Sequence, residues 1–238
     1  MTILKNLRKP YFAMFLSFLM LFISCKQYDS ELNEIEQSFD YKAFNTYKNT
    51  NHLDAIINKI NTSNKDRSNL SVLETNKLIL STVNDELDTG LYLPESLLSM
   101  SVDMEANDIY EIALTNNWLD IKDVELTKNF ANDAETIGFD LAVENYQNKV
   151  LALNLSSKEF AKKNIFINAV KALDYENPKL FTVNNNTQAR GWCRCALATI
   201  ALAATTAALV SCITIVACSL AVLLQVNAVY GFADQCLS

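Results

Sequence analysis

Six cysteines and a single histidine are the side chains in this 238-residue sequence with the widest chemical reach. Cys25 stands alone near the N-terminus, while Cys193, Cys195, Cys212, Cys218 and Cys236 crowd into the last 48 residues. A cysteine can be acylated, paired, metal-bound or nucleophilic, and its neighbours decide which. Partners for nucleophilic or multi-histidine metal chemistry are missing. His52 is the only imidazole, it lies beside Asp54 with no nucleophile motif, and it reads as a solvated histidine at a helix end. Asp133, Glu135, Gly138 and Glu144 fall at positions 1, 3, 6 and 12 of an EF-hand calcium loop, yet Ile137 occupies position 5, which must supply an oxygen, and Asp140 takes the usually apolar position 8. That segment reads as acidic helical surface with one tolerated glycine. No metal site and no cofactor are expected, and the chain is not expected to be an enzyme.

The elements that carry these residues should be helices. The chain has only 4 Gly and 3 Pro, too few punctuating residues for a fold of many tight β-turns. Gly90, Gly138, Gly191 and Gly231 are too widely spaced for a dinucleotide-binding or P-loop signature. The expected class is all-α. With the +3 of Lys5, Arg8 and Lys9 set aside, the formal charge of −7 becomes −10 for the chain from residue 25 onward. A body this acidic, with no basic stripe, repels phosphate backbones, so nucleic acid is not an expected partner.

Residues 1–24 have the layout of a signal peptide: a basic start from Lys5 to Lys9, an apolar run over 11–23, then Ser24. The run is too short for a transmembrane helix, which needs about 20 residues. Phe22-Ile23-Ser24-Cys25 resembles the lipobox of bacterial lipoproteins, in which the cysteine is acylated and becomes the new N-terminus. The resemblance implies lipidation at Cys25 and anchoring in the cell envelope. Lys26 follows the cysteine in place of the Asp that often retains Gram-negative lipoproteins at the inner membrane, which points to the outer membrane or cell surface.

The acidic body over 25–181 alternates helical periodicity with polar connections. Leu32, Ile35, Phe39, Ala43, Phe44 and Tyr47 give an amphipathic helix over 31–48, and its aromatics, with Tyr41, read as core more readily than as a docking stripe. Ser71 with Glu74 and Ser156 with Glu159 form capping boxes. The first opens a helix to about Asp88 that Gly90 ends; the second opens one that Pro178 stops. Further helices are expected near 94–101, 107–116 and 133–153.

A polar, non-periodic linker over 182–190 leads to a tail, 191–238, of different composition. From Cys195 to Ala233 there is no charged residue. Two arrangements fit. One straight helix over 195–224 would be about 45 Å long, enough to cross a membrane. It would hold Cys195 and Cys212 about 25 Å apart and Cys212 and Cys218 about 9 Å apart, beyond the Cα separation of about 7 Å that a disulfide tolerates. A helical hairpin, broken near Thr205-Thr206 or within 210–216, would instead let Cys193 or Cys195 approach Cys212 or Cys218. Clustered cysteines in an exported segment are normally paired, which favours the hairpin with disulfides.

Gly191-Trp192-Cys193-Arg194-Cys195 resembles the Cys-x-Cys start of fulvocin C-like bacteriocin proteins. The resemblance implies a lipid-anchored precursor that releases an antibacterial peptide, and the Ala-rich tail makes that peptide a membrane-active one. Arg190-Gly191 is the expected cleavage point, because an arginine in an extended polar segment suits a trypsin-like protease. Partners implied are membrane lipids, a processing protease and an immunity protein, with the tail released outside the cell. The alternative is a non-enzymatic surface lipoprotein whose tail completes its own core or holds a membrane partner. A third reading, an immunity lipoprotein, would use the acidic body as its binding surface.

Overall fold

A computed structural model describes residues 39, 70–87, 90–101, 104–176, 178, 180, 181, 190–210 and 215–230; the side chains at 190–195, 215–217, 225 and 227–230 lie outside the description. The helices are α1 (Val72–Leu87), α2 (Glu95–Leu98), α3 (Ala106–Thr115), α4 (Ile121–Thr136), α5 (Phe139–Leu151), α6 (Ser157–Glu176), α7 (Arg190–Leu209) and α8 (Ile215–Tyr230). No strand occurs among the described residues, and the protein is all-α as expected.

Both expected capping boxes form. The Ser71 amide donates to Glu74 Oε2 at 2.9 Å and the Glu74 amide to Ser71 Oγ at 3.3 Å. Ser156 and Glu159 repeat the exchange at 3.1 and 3.3 Å, starting α6. The same hydrogen bonds hold both glutamate pKa values below the ordinary carboxylate range. Pro178 lies two residues past the end of α6, where its ring cannot continue a helix.

Between these helices the boundaries differ from expectation. The helix expected over 133–153 is two, and α4 begins twelve residues earlier, at Ile121. Its capping box consists of two aspartates: the Asp123 amide donates to Asp120 Oδ1 at 2.8 Å, and the Asp120 amide to Asp123 Oδ2 at 3.4 Å. Gly138 separates α4 from α5 with φ +94° and ψ 159°, a backbone region essentially reserved for glycine. It is therefore required rather than tolerated, and it turns α5 back onto α4. Asp133, the first position of the EF-hand-like spacing, is occupied by α5: Lys149 Nζ lies 3.2 Å from its Oδ2 and Asn145 Nδ2 3.4 Å. The helix expected over 94–101 shortens to four residues.

An aromatic cluster joins α4, α5 and α6. Phe130 packs edge-on against Phe139, Tyr146 and Phe166, with ring centroids 6.0, 5.7 and 5.8 Å away. Phe39 is buried with its ring 5.1 Å from Phe160, in keeping with a core role. Tyr41, Phe44, Tyr47 and His52 lie outside the described residues.

The tail is where the architecture departs most from the sequence expectation. α7 packs on α3, α4 and α6, α8 packs on α1 and α6, and the two pack on each other. Their buried residues belong to the same hydrophobic cluster as those of the body. The tail helices are thus set into the body, sharing its interior. The alternative single helix does not form, because the chain leaves helix at Val210 and resumes it at Ile215. That interruption lies in the β-branched stretch, whereas Thr205-Thr206 stays helical, with Thr205 Oγ1 donating to the Ala201 carbonyl at 2.8 Å. Among the described residues no helix is long and apolar enough to cross a membrane.

The buried C-terminal helices as a candidate functional site

An uncharged helix has no polar face to offer water, so it must be covered on every side or enter lipid. Here it is covered. Every residue over 196–208 is buried except Leu197, which is half-buried, and in α8 so are residues 218–224 and Val226. Alanines at 198, 201, 203, 204, 207 and 208 keep α7 narrow enough for neighbouring helices to approach.

The few polar groups in this interior are mostly paired. Ser219 Oγ of α8 donates to the Ile165 carbonyl of α6 at 3.4 Å. Asn168 Nδ2 donates to the backbone oxygen and Oδ1 of Asn164, at 3.0 and 2.7 Å. Thr199 Oγ1 and the Tyr146 hydroxyl are buried with no hydrogen-bond partner.

At its C-terminal end, α7 meets a cation. Lys162 Nζ of α6 donates to the carbonyl oxygen of Ala208, one of the carbonyls left over in the last turn of a helix. Burial, with Lys158 and Lys163 nearby, holds the Lys162 pKa below its ordinary value. Lys163 pairs with Asp123, so one carboxylate serves both the start of α4 and the attachment of α6. Beside this end of α7 lies a cavity of about 600 Å³, with Ala204 and Ala208 in its wall. Leu126, Tyr146 and Phe166 supply its buried apolar part, and Lys122, Lys158 and Lys162 contribute cations. Burial, followed by the fields of Asp123 and Tyr110, pushes the Tyr146 phenol well above its ordinary pKa, so it is a neutral O–H.

The residues singled out from sequence fare differently. Cys218 is buried in α8. Cys193 and Cys195 lie on the first two turns of α7, and their side chains are outside the description, as are Cys25, Cys212 and Cys236 altogether. Arg190 and Gly191, expected at the end of an extended linker, are instead the first two residues of α7. A protease holds its substrate extended, so cutting between them requires the first turn of the helix to fray. The Lys162 contact with Ala208 and the cavity were missed in the sequence. Their only signal was three lysines, Lys158, Lys162 and Lys163, grouped on one side of the Ser156 capping box.

No family model, curated protein or solved structure matches this chain.

Proposed function

We propose that the protein is an exported, lipid-anchored, non-enzymatic lipoprotein of the cell envelope whose hydrophobic tail is structural, completing the core of the body that Cys25 tethers to the membrane. The observation carrying this reading is the shared interior: α7 rests on α3, α4 and α6, and α8 rests on α1 and α6. A disposable leader needs a core of its own. Removing α7 and α8 would uncover the faces of α1, α3, α4 and α6 on which they rest. Each large apolar side chain so exposed would lose about 1.5–3 kcal/mol of transfer free energy. A disulfide at Cys218 would lock α8 covalently, with Cys193, Cys195, Cys212 and Cys236 as the candidate partners in a disulfide-closed hairpin.

A second reading, the bacteriocin-like precursor, is favoured by the absence of charge from Cys195 to Ala233. A helix pair of that composition enters lipid without desolvating a single charge. In this reading the acidic helices keep the pair dispersed until a protease, acting near Arg190-Gly191, frees it.

Replacing residues 184–189 with a specific protease site, cutting the folded chain and chromatographing it without denaturant separates the two readings. The structural reading expects both fragments to elute together, and the body, once parted from the tail in urea, to refold without a cooperative transition. Release of a folded body, with a tail that discharges dye from anionic vesicles, supports the precursor instead. The anchor is checked separately with a fatty-acid analogue, which should label the unsubstituted chain and not Cys25→Ala. An unlabelled parent chain removes the anchor from either reading.

A further inference from the structure

The cavity beside α7 has a composition at odds with the rest of the molecule. Its ionic wall groups are Lys122, Lys158, Lys162 and Lys163 against Asp120, Asp123 and Glu159, a cationic excess in a chain that is −10 beyond residue 25. The three carboxylates are already engaged. Asp120 receives the Asp123 amide at 2.8 Å, Asp123 holds Lys163, and Glu159 receives the Ser156 hydroxyl and amide at 2.6 and 3.1 Å. Hydrogen bonds do not cancel the charges on Asp120 and Glu159, so the wall is net +1, and of its ammonium groups Lys163 is paired with Asp123 while Lys162 donates to the Ala208 carbonyl.

The rest of the wall is largely apolar. Leu126 and Phe166 are buried, Trp118 and Leu155 are half-buried, and Ala204 and Ala208 bring in the narrow side of α7. A volume near 600 Å³ lies within the range of small-molecule sites, about 300–1,000 Å³. A cavity walled by apolar side chains together with a small cationic excess suits an amphiphile with a negative head.

We propose that this cavity binds a single acyl chain bearing an anionic head group, the chain lying against Leu126, Phe166 and Ala204 and the head held by Lys158 and Lys162. Because Ala204 and Ala208 belong to α7, the site exists only while the tail stays with the body, and the proposal rests on the structural reading of the tail.

Trp118 reports occupancy directly, because it lines the cavity and a Trp192→Phe background leaves it as the sole indole. The full chain carrying that substitution is titrated with dodecanoate and with dodecyl phosphate, below their micellar concentrations, and with dodecyltrimethylammonium as the cationic control. The expected result is saturable, one-to-one change in Trp118 emission with both anions and none with the cation. Preference for dodecanoate identifies a free fatty acid as the source, and preference for the phosphate a lipid headgroup. Lys158→Gln, an exposed change that leaves the fold intact, should weaken binding at least fivefold, and Lys158→Gln with Lys162→Gln at least twentyfold. Circular dichroism confirms that each variant is folded. Equal response to the cationic amphiphile, a response that never saturates, or affinity unchanged in the folded Lys158→Gln variant overturns the proposal.

Discussion

Lys162 and Ala208 are 46 residues apart, yet the ammonium of one donates to the backbone carbonyl of the other. The contact places a positive charge at the C-terminal end of α7, where the helix dipole and unused carbonyls favour it. It is also a polar tie between the charged surface of α6 and a helix with no charge of its own beyond Arg190 and Arg194 in its first turns.

Replacing that lysine should therefore loosen α7 specifically. Lys162→Met keeps the aliphatic stem and removes the cation, and it should lower stability by about 1 kcal/mol, within the range measured for charges at helix C-termini. Urea unfolding gives the total, and hydrogen exchange should show the amides of residues 206–210 losing more protection than those of α4.

Thr199 offers the opposite sign. Its hydroxyl is buried with no partner, and valine has nearly the same shape. Thr199→Val should raise stability by about 1 kcal/mol, because the desolvated hydroxyl is gone and nothing is lost in return. A lower midpoint in urea would mean that the hydroxyl has a partner after all.

Gly138 and Gly90 form a matched pair. A β-carbon at either position meets no atom within 4 Å, so crowding plays no part, and only Gly138 has positive φ, at +94°. Gly138→Ala should cost about 1–3 kcal/mol of backbone strain, while Gly90→Ala should be neutral or slightly stabilising. Thermal unfolding of the two variants side by side reads the difference.

Asp174 makes stability depend on mild acid. Burial, and secondarily the charge of Asp140, raises its pKa to about 6, while Lys171 on the same helix face is itself pushed down by burial. An acid whose pKa is raised by folding takes up a proton as the chain folds, so stability is greatest below its unfolded value near 4. It then falls as pH rises towards 6 and stays low above. Asp174→Asn should flatten that slope and raise stability at pH 7 by about 1 kcal/mol, a figure reduced for partial solvent screening. A variant whose urea midpoint keeps the parent's pH slope between 4 and 6 would place the titration elsewhere.

What could be read from sequence followed local chemistry. Ser71 with Glu74 and Ser156 with Glu159 announced two helix starts because their side chains and amides exchange hydrogen bonds within four residues. Asp120 with Asp123 does the same work with a shorter acid, outside the Ser/Thr-to-Glu/Gln pattern, and so α4 was not foreseen. Gly138 looked like a helical glycine because its φ is set by the reversal of α5 onto α4, which no neighbouring residue encodes. The tail was ambiguous for a deeper reason. Uniform apolarity is what a helix needs when it is enclosed on all sides, and lipid and a protein interior satisfy that need equally. Only the apolar faces of α1, α3, α4 and α6, far back in the chain, decide between them.

The pairing of α1 with α8 joins residues 72–87 to residues 215–230. Loops of that length close slowly, and the interior is incomplete until the last helix has been made. During synthesis, the earlier helices must wait with their inner faces uncovered. Under the exported reading proposed above, that delay is an advantage, since a protein that completes itself only at its final segment is still unfolded when a translocation channel first engages it.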